Sequence, residues 1–324
     1  MNIFWQFVAT VFSLVSIIQQ PILRSFHIAV ESAVPATSTP SGLIVALKQQ
    51  DQHSAPVKIA NNSLGVAVTS QSAVVIDINS QAVLWEKNKD EQRSIGSITK
   101  LMTALIFLQS NISLDTSIEI IDSDRLPGGK KNFELGEKVA LKDILAAALI
   151  ASDNDAAMIL ARATGLPLTE FVEKMNQKAT TLGLAHSRFS DPTGLSADNQ
   201  STAAEVARLA QVAFAKEEIR KLVAQSSYDF ISLSGQVHHL RSTNKIAKSF
   251  LQVTAAKTGY IEKAGHCLVA EVQDGNHRII TVTLGSATES NRFQDVKMLS
   301  YWIWQNYHWP EGQSASIDEQ TKIL

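Results

Sequence analysis

The chain has a single cysteine among 324 residues. An intrachain disulfide is thereby excluded. Cys267 lies in the apolar stretch His266-Cys267-Leu268-Val269-Ala270 and reads as a buried structural thiol, not a nucleophile. No group of Cys and His has the spacing of a zinc site. His238 and His239 are adjacent, and neighbours on a strand or helix do not converge on one ion. Excess charge of either sign is also lacking: 29 Lys and Arg face 31 Asp and Glu, a formal net charge of -2. That leaves no basic field for nucleic acid. No internal repeat is visible. With 45% hydrophobic and 19% charged residues, the composition is that of an ordinary globular protein with one large or two modest domains.

The amino terminus lacks basic residues ahead of its apolar run. Ile3 to Ile18 is apolar except for Gln6, Thr10, Ser13 and Ser16. It is marginal for a bilayer, which needs about 20 residues at 1.5 Å each. Without a preceding Lys or Arg it is an atypical signal peptide, and the small residues of Val34-Pro35-Ala36 lie far from it. Residues 1–20 are therefore expected to be an anchor or signal segment, with an uncleaved anchor preferred. Arg24 follows the run and on the positive-inside rule would stay in the cytoplasm, but a single Arg is a small bias against an extracytoplasmic domain. Residues 21–60 carry Pro21, Pro35, Pro40 and Pro56 in a Ser/Thr/Ala/Gln-rich context and read as a linker. Order is expected from about Leu64, with one catalytic domain over 61–310 and a polar tail over 311–324.

Strand patterns occupy Gly65–Thr69, Ala73–Asp77 and Ala82–Lys87. Helical periodicity covers Ile98–Leu108, Leu141–Ala151, Asp155–Thr164, Leu168–Leu182 and Thr202–Ala215. Strand patterns return at Tyr228–Leu233, Val253–Ile261, Cys267–Val272 and Arg278–Leu284. The last two form a hairpin around Asp274-Gly275-Asn276. A helix over Asn291–Tyr307 closes the domain. Strands bracketing a helical middle predict an α+β domain whose two ends meet in one sheet, with a site where the helical lobe meets that sheet.

Three short motifs carry chemistry: Ser97-Ile98-Thr99-Lys100, Ser152-Asp153-Asn154 and Lys257-Thr258-Gly259. A Ser with a Lys one helical turn on is a nucleophile with its own base. A second Ser beside an Asn can relay a proton and hold an amide. Lys-Thr-Gly on a strand offers a cation, a hydroxyl and a backbone open to close approach. Ser-x-x-Lys alone arises by chance about once in a chain of this length, whereas the ordered triple is rare. For Lys100 to act as base it must be neutral, and desolvation with a neighbouring cation, Lys257, is expected to lower its pKa. Nothing in these motifs calls for a cofactor or metal.

The triple is the signature of penicillin-binding proteins and class A β-lactamases. The chain resembles the serine D-alanyl-D-alanine carboxypeptidases, the low-molecular-mass penicillin-binding proteins of peptidase family S11. The resemblance extends to Leu101-Met102-Thr103-Ala104, Asp155-Ala156-Ala157, Phe189–Leu195, Ser201-Thr202-Ala203 and Ala264-Gly265. It implies the penicillin-recognising fold, a five-stranded, mainly antiparallel sheet flanked by helices with a helical subdomain. It implies an acyl-enzyme on Ser97, with the N–H groups of Ser97 and Tyr260 as oxyanion donors. Ser152 would pass a proton to the departing D-alanine, Asn154 would bind the peptide amide, and Thr258, Gly259 and Arg292 would line the carboxylate site. The substrate would be a peptidoglycan stem ending in D-Ala-D-Ala, β-lactams would acylate the same serine, and the enzyme would work outside the cytoplasmic membrane. Ile261 departs from the family, which usually has Thr there, so a hydroxyl near the substrate carboxylate is expected to be missing. Many relatives carry a further C-terminal domain and anchor. The end at Leu324 leaves no room for them, which makes the N-terminal segment the expected tether.

A D,D-endopeptidase cutting crosslinks would use the same site. A β-lactamase would need a deacylating carboxylate, but Glu170 and Glu173 lack the class A context, and Asp191 sits in a segment shared with the carboxypeptidases. A non-catalytic wall-binding module would have no use for a Lys beside its Ser.

Overall fold

The structure is a computed structural model that describes residues 54–127, 131–246 and 251–310. The apolar segment over 1–20, the linker up to residue 53 and the tail after 310 lie outside the described residues.

Five strands form the central sheet: β1 (Ser72–Asp77), β2 (Val83–Lys87), β3 (Gln252–Ile261), β4 (Gly265–Asp274) and β5 (His277–Ser286). Their order is β3-β4-β5-β1-β2, and every neighbouring pair is antiparallel. The two ends of the chain thus meet where β5 pairs with β1, Val282 opposite Val74. β4 and β5 are joined by the two-residue loop Gly275-Asn276, with Gly275 at φ 53°. A positive φ at the first loop position gives a turn whose twist matches that of the strands.

Both faces of the sheet are covered, so its strands read as nearly continuous apolar runs. Alternation still sorts them. Val74, Ile76, Ile280, Val282 and Leu284 join one core with helices α1 (Lys100–Gln109), α2 (Leu141–Leu149), α3 (Asn154–Ala163), α4 (Leu168–Thr181), α5 (Ala203–Phe214) and α6 (Glu217–Val223). Ala73, Val75 and Ile279 face the other core, against helix α7 (Glu289–Asn306). α7 buries Phe293, Val296, Leu299 and Ile303, a helical stripe one face wide. An antiparallel ribbon of Ser227–Ile231 with Val237–Arg241 stands beside the helical lobe.

Two expectations are corrected. Gly65–Thr69 is not a strand. Its backbone is held by side chains and not by a neighbouring strand. Buried Asp295 accepts from Thr69 N (2.9 Å), Thr69 Oγ1 (2.8 Å), Ser70 N (2.9 Å) and Ser286 Oγ (2.7 Å). Lys87 Nζ donates to Ser70 O at 2.6 Å. An alternating apolar pattern cannot tell such a strapped segment from a paired one. The folded chain also begins before Leu64, since Val57–Lys58 pairs with Tyr307–His308 and Ile59 N donates to Asn306 O at 2.8 Å. The last residues of the expected linker therefore belong to the domain.

Candidate active site

The three motifs converge on one cleft of about 310 Å³ between the helical lobe and the edge strand β3. Ser97 lies in a short 3₁₀ turn, Gly96–Thr99, and the α-helix proper starts at Lys100. The α-helix expected from Ile98 thus starts two residues later, after one tight turn. Lys100 still reaches back, with Nζ 2.9 Å from Ser97 Oγ. Nζ also donates to Asn154 Oδ1 (2.7 Å) and Thr193 O (2.6 Å).

These three partners decide what Lys100 can do. Asn154 Oδ1 and Thr193 O are acceptors only. A neutral amine has two N–H groups for them and one lone pair left, which faces the Ser97 hydroxyl. Lys100 is 1% exposed. Burial strips its ammonium of water and lowers its pKa to about 7, against the opposing pull of Asp153 and Asp191. Lys257 was expected to share in this depression, but burial dominates. It is Lys257 that sits well below its ordinary value, through burial first and then the cations Lys100 and Arg292.

Ser152 joins α2 to α3 in the left-handed region, at φ 59°. A non-glycine residue there costs about 1–3 kcal/mol. The strained turn brings Ser152 Oγ within 2.8 Å of Lys257 Nζ. Asp153 caps α3, accepting from Ala156 N at 2.8 Å, and also takes the amide of Asn132. Asn154 then opens α3 with its Oδ1 given to Lys100, so its Nδ2 is the donor left for a substrate carbonyl.

Three glycines let three backbones meet. A Cβ on Gly259 would lie 2.2 Å from Ile95 O, and one on Gly96 would lie 2.7 Å from Tyr260 N. A Cβ on Gly194 would lie 2.1 Å from Gly96 O and 3.0 Å from Ser97 N. Any side chain at these positions would therefore push apart the segments that carry the Ser97 and Tyr260 amides. As an edge strand, β3 has a row of backbone groups that no other strand of the sheet uses.

At the far wall, Thr258 Oγ1 lies 2.6 Å from Thr243 Oγ1. Arg292 comes from α7 and is 5% exposed. It donates to Gly259 O at 3.3 Å and Glu289 Oε1 at 3.4 Å, and its buried Nε has no partner. Ile261 packs against the apolar core and is not among the residues that line the cleft. Cys267 is buried, with its thiol pushed up to about 11 chiefly by that burial, which makes it inert.

Asp191 has no carboxylate oxygen free to activate water. Its Oδ1 accepts from Thr193 N (2.6 Å), Thr193 Oγ1 (2.5 Å) and Gly194 N (2.8 Å), and its Oδ2 from Ser196 N (2.9 Å) and Asn199 Nδ2 (2.6 Å). Burial would raise its pKa, but the hydrogen bonds from Thr193, Ser196 and Gly194 outweigh burial and hold it below the ordinary value. The carboxylate shapes the loop that presents Thr193 O to Lys100.

The sequence profile of the D-alanyl-D-alanine carboxypeptidases, peptidase family S11, matches residues 56–288. The chain belongs to this family. It is 30% identical over 266 residues to the D-alanyl-D-alanine endopeptidase of Escherichia coli (strain K12), covering 81% of this chain and 86% of that one. It is 33% identical over 243 residues to the D-alanyl-D-alanine carboxypeptidase DacF of Bacillus subtilis (strain 168), covering 73% of this chain and 62% of that one. The crystal structure of the Streptomyces K15 DD-transpeptidase superposes with a TM-score of 0.71 at 25% identity, covering 75% of this chain and 100% of that one. The fold is the penicillin-recognising one, and the family makes the chain a serine peptidase.

Thr193, Thr243, Asn132 and the glycines Gly96 and Gly194 were not assigned roles from the sequence. Thr193 and Gly194 fall in a segment that resembles the family without a visible chemical reason. Thr193 acts through its backbone carbonyl, which no residue type signals. Thr243 has neither a motif nor a period to mark it.

Proposed function

We propose that this chain is a D-alanyl-D-alanine carboxypeptidase that removes the terminal D-alanine of peptidoglycan stems through an acyl-enzyme on Ser97. The observation that carries this reading is the contact of Ser97 Oγ with a buried Lys100 whose pKa is lowered to about 7. Ser97 Oγ attacks the carbonyl of the penultimate D-alanine while its proton passes to Lys100 Nζ. The oxyanion is met by the Ser97 and Tyr260 N–H groups. Asn154 Nδ2 holds the preceding carbonyl. As the C–N bond breaks, the leaving nitrogen takes a proton through Ser152, backed by Lys257. Thr258 and Arg292 hold the departing carboxylate, for which a guanidinium is suited. Water then cleaves the Ser97 ester. A β-lactam enters by the same acylation. A second reading, crosslink endopeptidase, is favoured by the names of similar proteins in Escherichia coli, Haemophilus influenzae and Pseudomonas aeruginosa.

Penicilloyl-enzyme should be long-lived, because both oxygens of Asp191 are occupied and class A β-lactamases deacylate with a free glutamate. After labelling with fluorescent penicillin and removal of excess, label should persist with a half-life on the order of minutes or longer. Turnover of roughly tens per second, within the common enzyme range, would move the protein to the β-lactamases.

The substrate lies outside the cytoplasmic membrane, so we place the enzyme there, held by the apolar run of Ile3 to Ile18. Among the described residues no helix is long and apolar enough to cross a membrane. Removing residues 1–53 should release an active, soluble enzyme. Removing 1–60 should cost stability as well, since it deletes Val57–Lys58 from its ribbon. An enzyme that fractionates identically with and without residues 1–53 would remove the tether.

A further inference from the structure

A hydroxyl serves an anion only by donating to it. It has one proton and two lone pairs, so a hydroxyl whose proton points elsewhere turns lone pairs on the anion and repels it. Thr258 is 4% exposed, and its Oγ1 has one hydrogen-bond partner among the described residues, Thr243 Oγ1 at 2.6 Å. At that distance one of the two hydroxyls donates to the other. Which one donates decides whether Thr258 attracts or repels a carboxylate.

Thr243 is placed to donate. It follows the ribbon strand Val237–Arg241 and lines the cleft with Thr258, Gly259 and Arg292. Its segment is fixed on both sides. Ser242 N donates to Ser226 O at 2.9 Å, Thr243 N to Ile150 O at 3.2 Å, and Ile246 N to Asn244 Oδ1 at 2.9 Å, with Ile246 fully buried. Ile150 ends α2 two residues before Ser152, so Thr243 is tied to the turn that presents Ser152. The Thr243 hydroxyl has no partner other than Thr258 among the described residues. The nearby cations donate elsewhere, Lys257 to Ser152 Oγ and Thr258 O, Arg292 to Gly259 O and Glu289. When a carboxylate reaches Thr258, the chain from Thr243 to Thr258 to the anion satisfies all three groups and requires only that two hydrogens rotate. Each donation polarises the next, and the last is charge-assisted.

We infer that Thr243 is a positioning residue for the terminal carboxylate of the substrate: its hydroxyl donates to Thr258 Oγ1 and so keeps the Thr258 proton turned to the anion. This rests on the reading of Ser97 as the nucleophile on a D-alanyl bond, with Thr258 at the departing carboxylate. Thr243 makes and breaks no covalent bond. It acts on binding through Thr258, so its contribution belongs to KM, and it discriminates a charged chain end from a neutral one.

The test uses the full chain, its Thr243→Val, Thr243→Ser and Thr258→Val variants, and the Thr243→Val/Thr258→Val double variant. Each is assayed on two pentapeptides ending in D-Ala-D-Ala, one with a free terminal carboxylate and one with the neutral terminal amide. Thr243→Val keeps the side chain's shape and removes its hydroxyl. It should raise KM on the free acid about fivefold, the scale of one lost hydrogen bond, with kcat within about twofold. On the amide, which offers no charge, kcat/KM should fall by no more than about twofold. Thr243→Ser keeps the hydroxyl and should restore most of the affinity. In the Thr258→Val background the change at position 243 should cost less than about twofold, because the hydroxyl it orients is gone. Equal losses on acid and amide would reduce Thr243 to a support of the wall. Additive losses in the double variant would mean that Thr243 meets the substrate on its own. Either result overturns the relay, as does an unchanged KM in Thr243→Val. In all of these the wild type is active. A wild type that cleaves neither peptide and takes no penicillin label would instead overturn the reading of Ser97 on which the relay rests.

Discussion

Ser97→Ala should abolish covalent labelling by penicillin and lower peptide hydrolysis on the order of 10⁴- to 10⁶-fold, as loss of a nucleophile does in other serine hydrolases. The change removes one oxygen. The Ser97 backbone N–H remains, the Gly96–Thr99 turn is held by its own backbone, and Lys100 keeps Asn154 Oδ1 and Thr193 O. Folding and non-covalent substrate binding should therefore survive, which thermal unfolding and equilibrium binding can check. Covalent label on the folded variant would mean that another residue is acylated.

Lys100→Arg should come close to the same loss, about 10³-fold in acylation, the scale of a missing general base. A guanidinium does not give up its proton near neutral pH. Lys257→Arg should retain more activity, because Lys257 touches Ser152 and not the nucleophile. The wild type carries a related signature in its pH dependence. Lys100 is lowered to about 7, and only its neutral form can accept the serine proton. At pH 6 about a tenth of the molecules have that form and at pH 8 about nine-tenths, so acylation should rise roughly tenfold between them. The activity is lost as pH falls, opposite in sign to a reaction that needs the ammonium. A flat profile from pH 5.5 to 8.5, or Lys257→Arg below Lys100→Arg, would exchange the two lysines.

The chemistry was more legible than its support. Ser97, Lys100, Ser152, Asn154 and Lys257 announce themselves because each acts through a side chain in a short motif. The elements around them were legible where one period dominates, as in α7 with Phe293, Val296 and Leu299, or β1 with its apolar run. Gly65–Thr69 misled because Val66 and Val68 alternate as a strand would, while Asp295, 226 positions beyond Thr69, supplies the hydrogen bonds. The ribbon strand Val237–Arg241 was not legible, since its exposed residues form no apolar pattern. The same holds for Thr193 O, Gly194 and Thr243, which matter through backbone geometry or a contact made only on folding. The direction of the electrostatics was half legible. Desolvation of Lys100 follows from an apolar helix, but the burial of Lys257, and then the cations Lys100 and Arg292 beside it, which together hold it well below its ordinary value, depend on packing and distances no sequence states.

The most direct measurement is the mass of a stem pentapeptide ending in D-Ala-D-Ala after incubation with the enzyme lacking residues 1–53. The product should be shorter by a single alanine, with no product from the Ser97→Ala variant. An unchanged pentapeptide, in the presence of enzyme that penicillin acylates stoichiometrically on Ser97, would contradict the assignment of D-alanyl-D-alanine carboxypeptidase activity.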